Sequence, residues 1–324
     1  MAALSDRLNP PVQDTRPRVI AIGGPTATGK TALSVALAKR FGGEIISADS
    51  MQIYKGLDVG TAKVTQEEMQ GVPHHLLDIL TPDQPYSVAE FTAQAGSLIR
   101  NMEARGKLPF VVGGTGLYIT SLLNGVRFAP QPENQALRAV LQARAAAGEG
   151  QALYDELAAV DPDYAKTLHP NDENRVIRAL ELYRLTGRTM TAQRAASRPE
   201  RPPYRALCLC LGCPDRTALY RRIDARVDRM VQAGILDEAR LVYDHRDSYR
   251  TAAQAIGYKE FFPYFEGAAT LAECTAKLKQ ASRNYAKRQL TWFRRQADAV
   301  WLDFTAPDLA DRAAGLVMHF LDNT

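Results

Sequence analysis

One stretch of this sequence combines glycine, lysine and threonine at a spacing that suits phosphate binding. Gly24 and Gly29 bracket four residues and are followed by Lys30 and Thr31, which is the G-x-x-x-x-G-K-[ST] spacing of a phosphate-binding loop. Glycines let successive backbone N–H groups converge on phosphate oxygens, and the lysine adds a positive charge. The threonine hydroxyl can hold a Mg²⁺ ion that bridges the phosphates. The alternative is a glycine turn that carries a lysine by coincidence.

The segments on either side of this loop favour the phosphate-binding interpretation. Residues 18–22 are an apolar run typical of a buried strand, and residues 32–39 have the pattern of a helix, which is the strand–loop–helix order that the motif requires. A helix that begins at the loop directs the positive end of its dipole at the bound anion. The sequence therefore predicts an α/β fold built on an open parallel sheet.

An acidic residue ends the next predicted strand. Residues 44–48 form a second apolar run that is followed by Asp49 and Ser50. Ligands of open parallel sheets bind at the carboxyl ends of the strands, so Asp49 is expected beside the phosphates. The alternative is that Asp49 only caps the following turn. A third strand over 107–112 ends in a glycine-rich turn and is expected next to the strand that carries the loop.

Composition limits the class of protein. The 324 residues are 46% hydrophobic and 23% charged, as in a folded globular protein with two domains or one large insertion. Without a run of about 18 apolar residues, no membrane span is expected. Residues 1–17 lack the apolar stretch of a secretion signal, so we expect a flexible leader and a cytoplasmic protein. Cys208, Cys210 and Cys213 lie close together in an apolar run, which favours a buried strand over a metal cluster.

The charge is unevenly distributed along the chain. Residues 41–103 hold nine acids and three bases, whereas residues 166–229 hold fourteen bases and seven acids, and residues 277–295 hold seven bases and no acid. Basic surfaces of this kind suit a polyanion such as nucleic acid, although solvated helix faces also collect lysine and arginine.

Only helical patterns occur between the third and fourth predicted strands. We predict a helical insertion over 125–203, with the catalytic core formed by 18–124 and 204–324. Ser87 and Glu90 have the spacing of a capping box. The predicted helices cover 88–104, 135–147, 151–159, 173–186, 219–233 and 278–295, and two further strands cover 204–211 and 300–304.

Several motifs together resemble those of the bacterial tRNA dimethylallyltransferases, also called tRNA isopentenyltransferases. The motifs are GPTATGKT at 24–31, SADSMQIYKGLDVGTAK at 47–63, VPHHLLDI at 72–79, VVGGTGLYI at 111–119, HPNDENRVIRALE at 169–181 and RNYAKRQLTWFR at 283–294. They follow the order of that family over most of the chain. The resemblance implies a P-loop kinase-like core on a parallel sheet, with a helical insertion that grips the anticodon stem-loop of tRNA.

The resemblance also implies a reaction and the residues that perform it. The dimethylallyl group of dimethylallyl diphosphate would pass to N6 of the adenosine just 3′ of the anticodon. Asp49 would be the base, Thr31 would hold Mg²⁺, and Arg226 would contact the diphosphate. The diphosphate itself would lie in the loop formed by Gly24, Pro25, Thr26, Ala27, Thr28, Gly29, Lys30 and Thr31.

Further residues would face the tRNA according to the same resemblance, in a protein expected to be a monomer. Those before and within the insertion are Asp49, Ser50, Met51, Gln52, Thr115, Arg138, Asn174, Arg175, Val176, Ile177 and Arg178. Those after it are Gln254, Ala255, Ile256, Gly257, Tyr258 and Lys259. Two other functions remain open from the residues alone: a small-molecule kinase whose loop holds ATP, and an RNA-binding protein with a regulatory phosphate site.

Overall fold

Six parallel strands form the centre of the computed structural model, which describes residues 14–128 and 134–323. Their order across the sheet is β3–β2–β4–β1–β5–β6, and every pair is parallel. Residues 19–22 in the central strand are fully buried, as expected for a sheet covered by helices on both faces. The parallel α/β sheet is therefore confirmed. The strands are β1 Arg18–Gly23, β2 Glu44–Ser47, β3 His74–His75, β4 Pro109–Val112, β5 Arg205–Gly212 and β6 Ala299–Asp303.

Helices connect the strands and fill the segment between β4 and β5. In chain order, the helices of the described residues are α1 Lys30–Phe41, α2 Gln66–Met69, α3 Val88–Ala104, α4 Gly116–Leu123, α5 Gln135–Ala146, α6 Gly150–Val160, α7 Pro162–Ala165, α8 Glu173–Thr186, α9 Met190–Ser197, α10 Arg216–Gln232, α11 Ile235–Asp244, α12 Phe262–Phe265, α13 Leu271–Phe293 and α14 Leu309–Asp322. Short 3₁₀ turns cover Ala252–Gln254 and Lys259–Phe261. No helix among the described residues is long and apolar enough to cross a bilayer.

The chain divides into two compact units. The first comprises the residues up to Leu123 together with those from Pro203 onwards, and the second is 124–202. The first unit contains the sheet. The second has its own apolar core, in which Leu141, Leu157 and Leu180 are buried. A unit with its own core can fold around it.

The N-terminal leader predicted over 1–17 lies mostly outside the described residues. Within its last part, Arg16 forms an ion pair with Asp14 at 2.5 Å and donates a hydrogen bond to the carbonyl of Tyr204. The backbone N–H of Arg205 donates to the carbonyl of Pro17. Residues 14–17 are therefore hydrogen-bonded to the start of β5.

Several helix starts follow the capping signals in the sequence, but the start of α8 does not. Ser87 and Glu90 form the predicted capping box of α3. Helix α13 begins before the predicted residue 278, because Thr270 caps it in the same way. The exception is Asp172, which gives no side-chain cap to α8 and instead forms an ion pair with Arg175 at 3.1 Å.

Candidate active site

The phosphate-binding loop leaves β1 through a glycine that no other residue could replace without a shift of the backbone. Gly24 has a φ of 134°, and a Cβ atom there would lie 2.6 Å from the carbonyl oxygen of Leu211 in β5. Gly29, with a φ of 84°, precedes α1. Both conformations lie in the region that glycine adopts at low cost, so the two motif glycines shape the loop.

Hydrogen bonds within the loop converge on one carbonyl group. The carbonyl of Pro25 accepts from the Thr28 hydroxyl at 2.9 Å and from Lys30 Nζ at 2.6 Å. Burial, together with the nearby charge of Arg226, lowers the pKa of Lys30 to about 7 against the opposing charge of Asp49. An incoming anion would replace the carbonyl as the partner of Lys30 and favour its charged form.

The side chain of Gln289 in α13 links the loop to the turn after β4. Its Oε1 accepts from the backbone N–H of Thr26 at 3.0 Å, and its Nε2 donates to the carbonyl of Gly114 at 3.0 Å. A Cβ atom at Gly114 would lie 2.2 Å from that nitrogen. The sequence analysis missed this residue, whose only signal is a polar side chain on the apolar face of a helix.

Asp49 lies at the carboxyl end of β2, as predicted. Its Oδ1 accepts from the backbone N–H groups of Met51 at 2.9 Å and Gln52 at 3.4 Å, so it also caps the following turn. Among the described residues no hydrogen bond engages Oδ2. Thr115 also holds the turn after Asp49, because its hydroxyl accepts a hydrogen bond from the N–H of Ser50 at 3.2 Å. The carboxylate is thus held by one oxygen and can accept a proton on the other.

Arg226 in α10 brings a guanidinium to the site, and one of its N–H donors has no partner among the described residues. Its Nη2 donates to the carbonyl of Thr61 at 3.3 Å, while its buried Nε has no hydrogen-bond partner among the described residues. Burial lowers the pKa of the guanidinium from its ordinary value, and the charge of Asp49 opposes that shift. A buried N–H without a partner is costly, so this donor suits an anionic ligand.

The side chain of Gln52 links the turn after Asp49 to residues 61 and 62, and the carbonyl of residue 61 also accepts from Arg226. Its Nε2 donates to the carbonyls of Thr61 and Ala62, both at 3.3 Å, and its Oε1 accepts from the Ser47 hydroxyl at 3.3 Å. These bonds position Gln52 within the protein, beside the partly exposed Ser50 and Met51.

Four of the residues expected to face the tRNA are buried in the structure. Val176 and Ile177 are buried in the core of the second unit, and Tyr258 is buried in the first with its hydroxyl bonded to Glu238 at 3.1 Å. The other residues of the same segments differ in exposure: Asn174, Arg175, Gln254 and Lys259 are exposed, Arg178, Ala255 and Ile256 are half-buried, and Gly257 is buried.

Two arginines of the second unit share one buried carboxylate. Oε2 of Glu181 accepts from Arg138 Nη2 and from Arg178 Nη1, both at 2.8 Å. Burial pushes the pKa of Glu181 upward, but the hydrogen bonds from the two arginines outweigh it and leave the pKa below its ordinary value. Both arginines remain more than one third exposed, so each can present donors at the surface.

Two family models match the chain, and together they cover residues 17–296. A family model described as IPP transferase matches residues 52–296, and one described as isopentenyl transferase matches residues 17–83. The chain belongs to the IPP transferase family. The phosphate-binding loop lies in the second of these matches, and Asp49 lies there as well.

Members of the IPP transferase family from several bacteria are similar to the chain over nearly its full length. The tRNA dimethylallyltransferase of Geobacillus thermodenitrificans is 50% identical over 292 residues, which cover 90% of this chain and 92% of the relative. The tRNA dimethylallyltransferase of Bacillus subtilis is 46% identical over 296 residues, which cover 91% and 94%.

Solved structures of the family share the fold. The full-length tRNA isopentenylpyrophosphate transferase of Bacillus halodurans superposes with a TM-score of 0.71 at 44% identity, covering 95% of this chain and 97% of the other. A eukaryotic dimethylallyltransferase acting on tRNA gives a TM-score of 0.80 at 31% identity, covering 94% and 80%.

Proposed function

We propose that this chain transfers the dimethylallyl group of dimethylallyl diphosphate to N6 of the adenosine just 3′ of the anticodon in tRNA, with release of diphosphate. The observation that carries the proposal is the arrangement at the carboxyl ends of β1 and β2, the two strands that flank β4. A phosphate-binding loop and the cation Arg226 lie there with Asp49, which has one unengaged oxygen. This combination suits a reaction that needs both an anionic leaving group and a base.

The leaving group is where negative charge accumulates. As the C1–O bond of the donor breaks, its electron pair passes to the diphosphate oxygen. Backbone N–H groups of residues 27–31, Lys30 and the unpartnered Nε of Arg226 would stabilise that charge. Because these donors are fixed before the substrate binds, little reorganisation is needed during the reaction.

The nucleophile needs a base. Adenine N6 is a weak nucleophile, since its lone pair is delocalised into the ring. In the proposed step N6 forms the bond to C1, and the proton that it loses passes to Oδ2 of Asp49. The hydrogen bonds from the N–H groups of Met51 and Gln52 hold Oδ1 and so fix the direction in which Oδ2 points.

Thr31 fits the Mg²⁺ site that the family implies. Its side chain is exposed at the first turn of α1, and a hydroxyl is a hard oxygen ligand of the kind that Mg²⁺ accepts. The described residues hold no cluster of three acidic, histidine or cysteine side chains that could bind a metal alone. We therefore propose that Mg²⁺ arrives with the diphosphate, whose charge it would neutralise.

The tRNA substrate would be held by residues of both units. In the second unit these are Arg138, Asn174, Arg175 and Arg178, and in the first they are Ser50, Met51, Gln52, Thr115, Gln254, Ala255, Ile256, Gly257 and Lys259. The target base would leave its stack to reach Asp49. We propose that the protein acts in the cytoplasm as a monomer.

A transfer assay tests the proposal against a kinase of the same fold. Total tRNA is incubated with the protein and either labelled dimethylallyl diphosphate or ATP labelled in its γ-phosphate, each with Mg²⁺. We expect label in RNA from the prenyl donor alone. Label from ATP alone would overturn the proposal in favour of a kinase. A protein that binds tRNA and transfers neither label would be an RNA-binding protein.

A further inference from the structure

One carboxylate holds the backbone of residues 58–60, which precede the carbonyl that binds Arg226. Glu238, in the first turn of α11, accepts through Oε1 from the backbone N–H groups of Asp58 at 2.8 Å and Val59 at 2.7 Å. Its Oε2 accepts from the N–H of Gly60 at 2.9 Å and from the Tyr258 hydroxyl at 3.1 Å. Four hydrogen bonds to one carboxylate are charge-assisted and hold three successive peptide groups in place.

The ring of Tyr258 completes this anchor. A Cβ atom at Gly60 would lie 2.5 Å from the ring, so the backbone of residue 60 packs directly against it. Gly257, with a φ of 118°, lets the neighbouring turn approach the carbonyl of Gly60. The Asp58–Gly60 backbone therefore has little freedom to move relative to Glu238.

The opposite side of the same segment faces the site. The carbonyl of Thr61 accepts from Arg226 Nη2 and from Gln52 Nε2, both at 3.3 Å. The Thr61 hydroxyl donates to the carbonyl of Leu57 at 2.7 Å, which closes the turn. The direction of the Thr61 carbonyl thus follows from the position of the three peptide groups that Glu238 holds.

We propose that Glu238 is a positioning residue for the diphosphate site. It holds the Asp58–Gly60 backbone so that the Thr61 carbonyl orients the guanidinium of Arg226 and leaves the Nε of that arginine available to the anion. The inference rests on the proposed function, because it takes the anion to be the diphosphate of the prenyl donor. Glu238 itself touches neither substrate.

Apolar packing would preserve the fold if this anchor were lost. Ile53, Tyr54 and Leu57 are buried together with Val227 and Ile235 in one cluster, which encloses the segment independently of the carboxylate. In Glu238→Gln the side chain keeps its size, but its amide nitrogen is a donor and would face backbone N–H donors. We expect the 58–61 backbone to shift while the rest of the unit remains folded.

The test compares Glu238→Gln with Asp237→Asn. Asp237 is an exposed neighbour in the same helical turn, so its substitution removes the same charge without touching the segment. The measurements are the dissociation constant for inorganic diphosphate with Mg²⁺, the KM for dimethylallyl diphosphate, kcat, the dissociation constant for tRNA and Tm. We expect Glu238→Gln to weaken diphosphate binding and raise that KM about tenfold or more. The loss of tRNA binding should be smaller, because only Gln52 shares the Thr61 carbonyl, and Asp237→Asn should behave like wild type.

A double variant tests whether Glu238 acts through Arg226. In an Arg226→Gln background, Glu238→Gln should cause no further loss of diphosphate binding, because the group that it positions is already absent. Additive losses, or equal losses of diphosphate and tRNA binding, would overturn the inference. If Glu238→Gln does not fold, Glu238→Asp takes its place, since the shorter carboxylate should give an intermediate loss of diphosphate affinity.

The outcomes separate this inference from the proposed function. If wild type binds diphosphate and Glu238→Gln binds it equally well, only the positioning role is wrong. If wild type binds no diphosphate, the proposed function is wrong, and the positioning role falls with it.

Discussion

Gln289 joins Thr26 of the phosphate-binding loop to Gly114 of the turn after β4 through one side-chain amide. Its two hydrogen bonds, each 3.0 Å long, use the amide in both of its roles, as acceptor and as donor. The strands that carry these turns are neighbours, with Ile22 of β1 in register with Val112 of β4. The loop is therefore tied to the sheet at a point that its own motif does not specify.

Gln289→Ala should loosen the loop. The substitution leaves the N–H of Thr26 and the carbonyl of Gly114 without their partner, which costs about 2 kcal/mol of unfolding free energy. Diphosphate affinity should also fall, because the loop amides are no longer held in one arrangement. Denaturant unfolding and calorimetric titration with diphosphate measure the two effects. The control is Gln280→Ala on the same helix, where the amide bonds only to residues of α13; equal behaviour of the two variants would contradict the account.

Glu44 should make stability depend on acid. Hydrogen bonds from Arg105, at 2.6 and 2.9 Å, lower its pKa to about 2 against the effect of burial, and His75 adds to the lowering. The carboxylate therefore stabilises the fold above its ordinary pKa of 4.5, and this contribution is lost as pH falls from 4.5 towards 2. Because the pair is partly solvated at Arg105, we expect about 2 kcal/mol of unfolding free energy.

The comparison of wild type with Glu44→Gln isolates this contribution. Denaturant unfolding at a series of pH values should give a difference in unfolding free energy that is constant above about pH 5 and shrinks below it. A difference that stays the same down to about pH 3 would show that the charge of Glu44 contributes nothing to the acid dependence.

Gly113→Ala should distort the site that contains Asp49. A Cβ atom at Gly113 would lie 2.1 Å from the carbonyl oxygen of Ala48, and that oxygen belongs to backbone that cannot rotate away. The substitution must separate the ends of β2 and β4, so we expect a loss of several kcal/mol and of prenyl transfer. Gly315→Ala is the control, since α14 has open space at that position and alanine favours a helix by about 1 kcal/mol. Both variants are compared by thermal unfolding, and a Gly113→Ala protein as stable as wild type would contradict the close approach of the two strand ends.

Glu181→Gln should affect the second unit alone. The arginines that share Glu181 Oε2 would lose a charged acceptor, at a cost of about 2 kcal/mol, and with it the geometry in which Arg138 and Arg178 present their donors. We expect weaker binding of an anticodon stem-loop RNA and unchanged binding of diphosphate. Glu156→Gln is the control, because Glu156 pairs with two other arginines at the surface. Stem-loop binding that is reduced equally in both variants would show a general effect of charge.

Sequence reasoning found the parts of the site that depend on local pattern. The spacing of Gly24, Gly29 and Lys30 identifies the loop, and the apolar run before Asp49 places that acid at a strand end. The adjacency of β4 and β1 follows from the usual topology of open parallel sheets that carry a phosphate-binding loop. Each of these inferences uses only residues that are close together in the chain.

The missed features depend on contacts between distant segments. Glu238 reaches residues 58–60 across about 180 positions, and Gln289 reaches Thr26 across 263, so no local pattern reveals either. Strand β3 has only two residues, too few for a periodicity. The burial of Val176 and Ile177 follows from the packing of α8, which turns those two side chains towards the core of the second unit.

The central claim is that Asp49 accepts the proton from adenine N6. Its most direct test is mass spectrometry of nucleosides from tRNA treated with dimethylallyl diphosphate and either wild type or Asp49→Asn. Wild type should yield adenosine prenylated on N6, and Asp49→Asn should yield it at least about a hundredfold more slowly while binding tRNA and diphosphate as wild type does. Prenylated adenosine formed equally fast by Asp49→Asn would contradict the claim.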